Sequence, residues 1–185
     1  MKRAKIAFAL VAFFAAATMA ARTQTSVFVP GNTNGGFGNP IDSVVPMVPA
    51  ITVAGPSKIT ITYISGTVTD TGGVDTGPTG ADWNQYGAQS PLQEARGVSG
   101  GTIHNLDALI GVFVPARTAG AWKFQPVDGT KDIARVGIVP NTLFLVGATK
   151  TIWVREAGTL YLGINDYFVS DNGGGFSVIV NVQRV

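Results

Sequence analysis

The residues of this chain whose types and spacing can do chemistry lie between positions 165 and 175. Asn165 and Asp166 are followed by Asp171 and Asn172, and those at once by Gly173, Gly174 and Gly175. Carboxylate and amide oxygens that return within a few residues on a tightly turning backbone suit a hard cation such as Ca2+, which takes roughly six to eight oxygens. The glycines permit backbone angles closed to other residues and let backbone groups approach a ligand. Asn, Asp and Gly are equally the ordinary residues of a solvated turn, so residue types alone leave both readings open. The spacing is not that of an EF-hand, and this loop alone would leave a calcium shell short. A second contributor is needed, and the glycine-rich stretch 70–101 is its expected source.

Catalysis finds less support. His104 is the one histidine, in the stretch GGTIHNLD that ends at Asp107. By residue type it could join Asp107 and a serine. The spelling G-x-S-x-G occurs at Gly97–Gly101, but in a glycine-rich stretch read as loop rather than at the strand-to-helix turn a nucleophile elbow needs, and no cysteine is present. One histidine without thiolates does not make a zinc site. Acidic residues are common in the loops, yet no spacing singles out a glycosidase pair. A binding protein is expected, not an enzyme. Trp83 and Tyr86 can offer an aromatic ring to a sugar or simply anchor their loop.

Strands must position the 165–175 loop. Residues 160–182 read as strand, loop and strand, and so as a hairpin. Leu160, Leu162 and Ile164 form one apolar stripe; Phe176, Val178, Val180 and Val182 form the other. Further strands are expected at 58–64, 108–114, 132–139, 142–146 and 150–154. The valine-rich 43–53 is broken by Pro46 and Pro49 and suits an edge. Residues 70–101 read as a long loop with one helical turn near 91–96. Short strands, abundant glycine and no helical periodicity predict an all-β domain, a two-sheet β-sandwich.

Residues 1–21 carry Lys2, Arg3 and Lys5, then an apolar run and small residues, the layout of a secretory signal peptide. The run is shorter than the ~20 residues of a membrane span. Residues 22–43 are expected to form a Gly/Asn/Pro-rich leader, with 26–29 able to add to a sheet edge, and 44–185 the sandwich. The formal net charge is +2, with thirteen basic and eleven acidic residues. Setting the three leader cations aside leaves ten basic against eleven acidic, a charge of −1 that gives no footprint for nucleic acid. No cysteine is present, so burial, or burial plus a bound ion, must hold the fold. A periplasmic, secreted or cell-surface location is expected.

The stretch LGINDYFVSDNGGGFSVIV resembles the C-terminal part of the PA-IL-type bacterial galactose-binding lectins and their wider relatives. The Asn165–Asp166 pair, the Asp171–Asn172 pair and the Gly175–Phe176–Ser177 start of the last strand carry the likeness. Gly77, Pro78 and Thr79 match a second family element in an earlier loop. The resemblance implies a jelly-roll-like, galactose-binding-domain-like sandwich. It further implies Ca2+ held by the side chains of Asp166, Asp171 and Asn172 and by the carbonyls of Thr76 and Val169. The carbohydrate would complete the calcium shell and touch Asp166 and Asp171. An aromatic that the family places before Gly-Pro is Thr76 here, and the family's sugar-contacting His and Gln have no counterpart that can be placed. A ring for the sugar would then come from the long loop, with Trp83 or Tyr86 as the candidates and Trp83 the one expected. The competing expectation is an extracellular surface or matrix interaction module in which calcium is only structural.

Overall fold

The computed structural model describes residues 22–33, 35, 45–84, 90–95, 102–117 and 143–185. The expected signal peptide, Tyr86 and the strand expected at 132–139 lie outside these residues. In chain order the elements are β1 (Arg22–Pro30), β2 (Val48–Val53), β3 (Ser57–Ser65), β4 (Val68–Thr69), β5 (Asp75–Thr76) and β6 (Ala81–Asn84). They continue with α1 (Pro91–Ala95), β7 (Thr102–Leu106), β8 (Leu109–Pro115), β9 (Phe144–Leu145), β10 (Thr149–Val154), β11 (Gly158–Ile164) and β12 (Gly173–Arg184).

The fold is an all-β sandwich. One sheet runs β10-β3-β12-β4-β5, with β1 on the remaining side of β12; the other runs β2-β11-β8-β9; β6 and β7 form a separate ribbon. Period-two alternation explains the layering. On β3, Ile59 and Ile61 are fully buried while Thr60 and Thr62 face outward. On β12, Phe176, Val178, Val180 and Val182 point in. Leu160, Leu162 and Ile164 of β11 meet them from the opposite sheet in one core cluster. The Tyr63 ring stands edge-on to Phe176. No helix among the described residues is long and apolar enough to cross a membrane.

Three sequence expectations are corrected. Residues 160–182 do not form a hairpin: β11 pairs with β2 and β8, whereas β12 pairs with β1, β3 and β4. Both apolar stripes face each other across the core, so the chain between them crosses from one sheet to the other. The leader assigned to 22–43 starts as a nine-residue strand, β1, in register with β12 from Arg22–Gln183 to Pro30–Gly175. Residues 26–29 do add to a sheet edge as expected, and their inward positions Val27 and Val29 have core to cover, so the strand 22–30 belongs to the sandwich. The stretch 70–101 holds β5, β6 and the expected helical turn α1. Proline-interrupted β2 does occupy an edge, with its register shift at Pro49.

Candidate metal centre

The β8–β11 ladder builds the site. Ile164 pairs with Leu109, and the same register carries past the strand ends: the Asn165 N–H bonds the Ala108 carbonyl at 2.9 Å and the Asp107 N–H bonds the Asn165 carbonyl at 3.1 Å. Asp107 therefore stands opposite Asp166. The chain reaches β8 through a tight turn in which Asn105 and Asp107 both hold φ of 60°, a left-handed conformation that short polar side chains tolerate best. The Asn105 carbonyl accepts from the Ala108 N–H to close it.

Asn165 spends its side chain on architecture. Its Oδ1 accepts from the Leu92 N–H at 2.8 Å, and its Nδ2 donates to the Asn105 carbonyl at 2.9 Å, so it ties α1 and the 105–109 turn together. Asp166 follows. Its Oδ1 accepts the backbone N–H groups of Tyr167 and Phe168, fixing the carboxylate at the start of the crossover. A 3-10 turn, Val169–Asp171, then brings Asn172 back. The Asn172 Nδ2 donates to Asp107 Oδ1 at 3.1 Å and to Asp166 Oδ2 at 3.0 Å. A longer contact of 3.4 Å reaches the Gly31 carbonyl.

The amide is thus oriented by two carboxylates, and its own oxygen is left over. Asp107 is 0% and Asn172 8% exposed, and neither Asp107 Oδ2 nor Asn172 Oδ1 has a hydrogen-bond partner. Buried oxygens without partners are costly, about 1–3 kcal/mol each and more when charged. Burial pushes the Asp107 carboxyl up to about 7, with repulsion from Asp166 adding to it, the Asn172 amide opposing, and Asp70 a further repulsive neighbour. Asp166 is also raised, by burial first; the Phe168, Tyr167 and Asn172 donors pull it down, and Asp171 repels it. Crowded carboxylates and two orphaned oxygens are what a divalent cation relieves. The donors are all oxygen, which fits calcium or magnesium rather than a soft metal.

The structure brings together Asp166 and Asn172, with Asp171 near enough to act on Asp166. Asp171 Oδ2 also accepts from the Thr71 hydroxyl at 2.6 Å, at the exposed rim. Val169 is buried, and its carbonyl accepts from the Asn172 N–H at 3.2 Å. Thr76 lies on β5, with its hydroxyl on the Val68 carbonyl. The adjoining Gly-Pro-Thr loop is fastened to the 105–109 turn, through Pro78 O to the Leu109 N–H and Thr79 O to Asn105 Nδ2. Trp83 sits half-buried on β6, paired with Ile103 of the ribbon. His104 bonds Asp82 at 2.9 Å on that ribbon, both side chains exposed, and Asp107 is engaged elsewhere. Among the described residues no three His, Asp or Glu side chains are placed to hold a metal by themselves, so an ion here would need the Asn172 amide and carbonyls as well.

Asp107 is the member that sequence reasoning missed. Its signal was faint: two Asx residues, Asn105 and Asp107, immediately before an apolar strand. Gly174 and Gly175 adopt backbone angles closed to other residues, as expected, and the close approach they allow is between backbone segments. Gly174 has φ of 71°, and a Cβ there would run into the Thr67 carbonyl. The Gly175 N–H bonds Thr67 O at 2.8 Å and the Gly31 N–H bonds Gly174 O at 3.0 Å, so the glycines let three backbone segments close up beside the site. No family model and no curated protein matches this chain.

Proposed function

We propose that the protein is a calcium-dependent β-sandwich interaction module, exported from the cell, in which the ion clamps the 105–109 turn to the sheet-to-sheet crossover. The observation that carries this reading is the pair of buried, partnerless oxygens, Asp107 Oδ2 and Asn172 Oδ1, held beside Asp166. The bound cation would supply charge neutralisation and a common centre for oxygens that otherwise repel. With no disulfide available, that clamp replaces a covalent staple. The burial of Asp107 and Asn172 favours an enclosed, structural ion.

Thermal unfolding in chelator and in calcium tests this. For a Kd of ~10⁻⁴ M, typical of the tighter extracellular modules, about 10 mM calcium adds ~2.7 kcal/mol. That is roughly 5–10 °C in Tm for a domain of this size. A Tm indifferent to calcium sinks the reading.

A calcium-dependent lectin is the second reading, and one observation favours it. Asp171 lies at the open rim, and Phe168, half-exposed and edge-on to Tyr167, stands on the same crossover. On this reading Asp166 and Asp171 meet the sugar hydroxyls, and Phe168 is better placed than Trp83 to supply the ring. Retention on galactose resin, released by chelator, is expected; passage straight through in calcium disposes of it.

A further inference from the structure

The outer face of the larger sheet is an unusual surface for a strand-rich protein. Its register sets side chains from β1, β12, β3 and β10 in straight rows. One row is Gln24, Asn181, Thr60 and Thr151; the next is Ser26, Ile179, Thr62 and Thr149. Neither row holds a charge, although exposed sheet faces ordinarily carry Lys and Glu for solubility. The Thr60 and Thr151 hydroxyls bond each other at 3.0 Å, leaving donors and acceptors free toward solvent. The opposite face of the same strands is core, so the platform is rigid.

Two large rings stand at opposite corners. Trp153 of β10 is 66% exposed and Phe28 of β1 is 56% exposed. The Lys58 ammonium sits 5.5 Å from the centre of the Trp153 ring and steadies it. Six residues along the strands and three strand spacings across separate the corners, a diagonal of roughly 25 Å.

We propose that this face is a docking platform for a neutral, extended polysaccharide chain, its sugar rings stacking on Trp153 and Phe28 and its hydroxyls meeting the Thr, Gln and Asn rows. Charge decides among occupants. An anionic polymer would need a cationic track, and among the described residues the cations on the face, Arg22 and Lys58, share one end row. A lipid surface would need a continuous apolar patch; Ile179 alone interrupts the two polar rows, and the other exposed apolar side chains of this face, Phe28, Ile64 and Trp153, are divided between the two corners. A neutral polyol needs neither. The inference goes beyond the calcium site and does not rest on it.

The test is co-sedimentation of the full chain with microcrystalline cellulose and with chitin, in calcium throughout. Retention on at least one polymer is expected. It should fall about tenfold in Trp153→Ala and in Thr60→Lys/Thr151→Lys, with Tm held, and be unchanged in Asp171→Asn. Phe28→Ala, on a different strand, guards against a local folding defect at Trp153. No retention on either polymer overturns the proposal, as does equal retention by the variants. A dimer that Trp153→Ala converts to monomer on sizing would assign the face to a second copy instead. Loss in Asp171→Asn alone would move the sugar to the calcium rim and overturn it too.

Discussion

Asp107 is buried where a carboxylate is least comfortable, and its neighbours make matters worse. The unfolded chain ionises it near 3.8, whereas burial and then Asp166 raise it to about 7 in the fold. Between those values the folded state holds a proton that the unfolded state has released. Stability of the cation-free protein therefore falls as pH rises from about 4 to 7, and is fully present below that window. Asp166 is displaced in the same direction, and Asp70 and Asp171 face the pair. In chelator, circular-dichroism melts are expected to give a higher Tm at pH 5 than at pH 8, with calcium erasing the difference at pH 8. Asp107→Asn removes the buried charge while keeping the shape. The chelated variant is expected to melt at or above the parent at pH 8 and to lose most of the calcium-induced rise. A full calcium response in that variant would take Asp107 out of the site. Asp166, Asp171 and Asn172 were legible because they recur within seven residues beside a glycine run. Asp107 was not, because its partner Asn172 lies 65 residues away, and it takes the β8–β11 register and the 3-10 turn after β11 to bring the two together.

Strands announce themselves by alternation, and those of β3, β8, β10, β11 and β12 were legible within a few residues. Their partners were not. An apolar stripe says that a face must be buried; it is silent on whether the next stripe lies alongside or across the core. Thus Leu160–Ile164 and Phe176–Val182 look like a hairpin in sequence and form the two walls of the sandwich in space. The short β4 and β5 carry no period to read, and β4 lies against β12 because Gly174 has no Cβ to strike the Thr67 carbonyl. Gly174→Ala is expected to cost about 1–3 kcal/mol in urea unfolding, since its φ is 71° and its Cβ meets backbone rather than a yielding side chain. Gly77→Ala, in an open position with nothing nearby, is expected to stay within ~0.5 kcal/mol.

At the scale of the whole molecule the candidate site is a junction. The Gly31 carbonyl after β1, the 105–109 turn before β8 and the crossover from β11 to β12 all meet Asn172 or its two carboxylates. An ion there would tie both sheets and the first strand at one pole. Hydrogen exchange reads this directly. Calcium is expected to slow the Gly31 and Gly175 amides markedly while leaving Ile59 and Ile61, already deep in the core, little changed. Equal slowing everywhere would mean simple global stabilisation. The pairing of β1 with β12 has a mechanical consequence. Arg22 lies beside Gln183, so tension on the two strand ends parts one pair of residues at a time, as a zipper opens, instead of shearing the whole strand at once. The fold yields easily to such a pull until the tear has run roughly 30 Å to Pro30 and Gly175. There it meets the pole where we propose calcium, and an ion held there would act as the stop on the zipper.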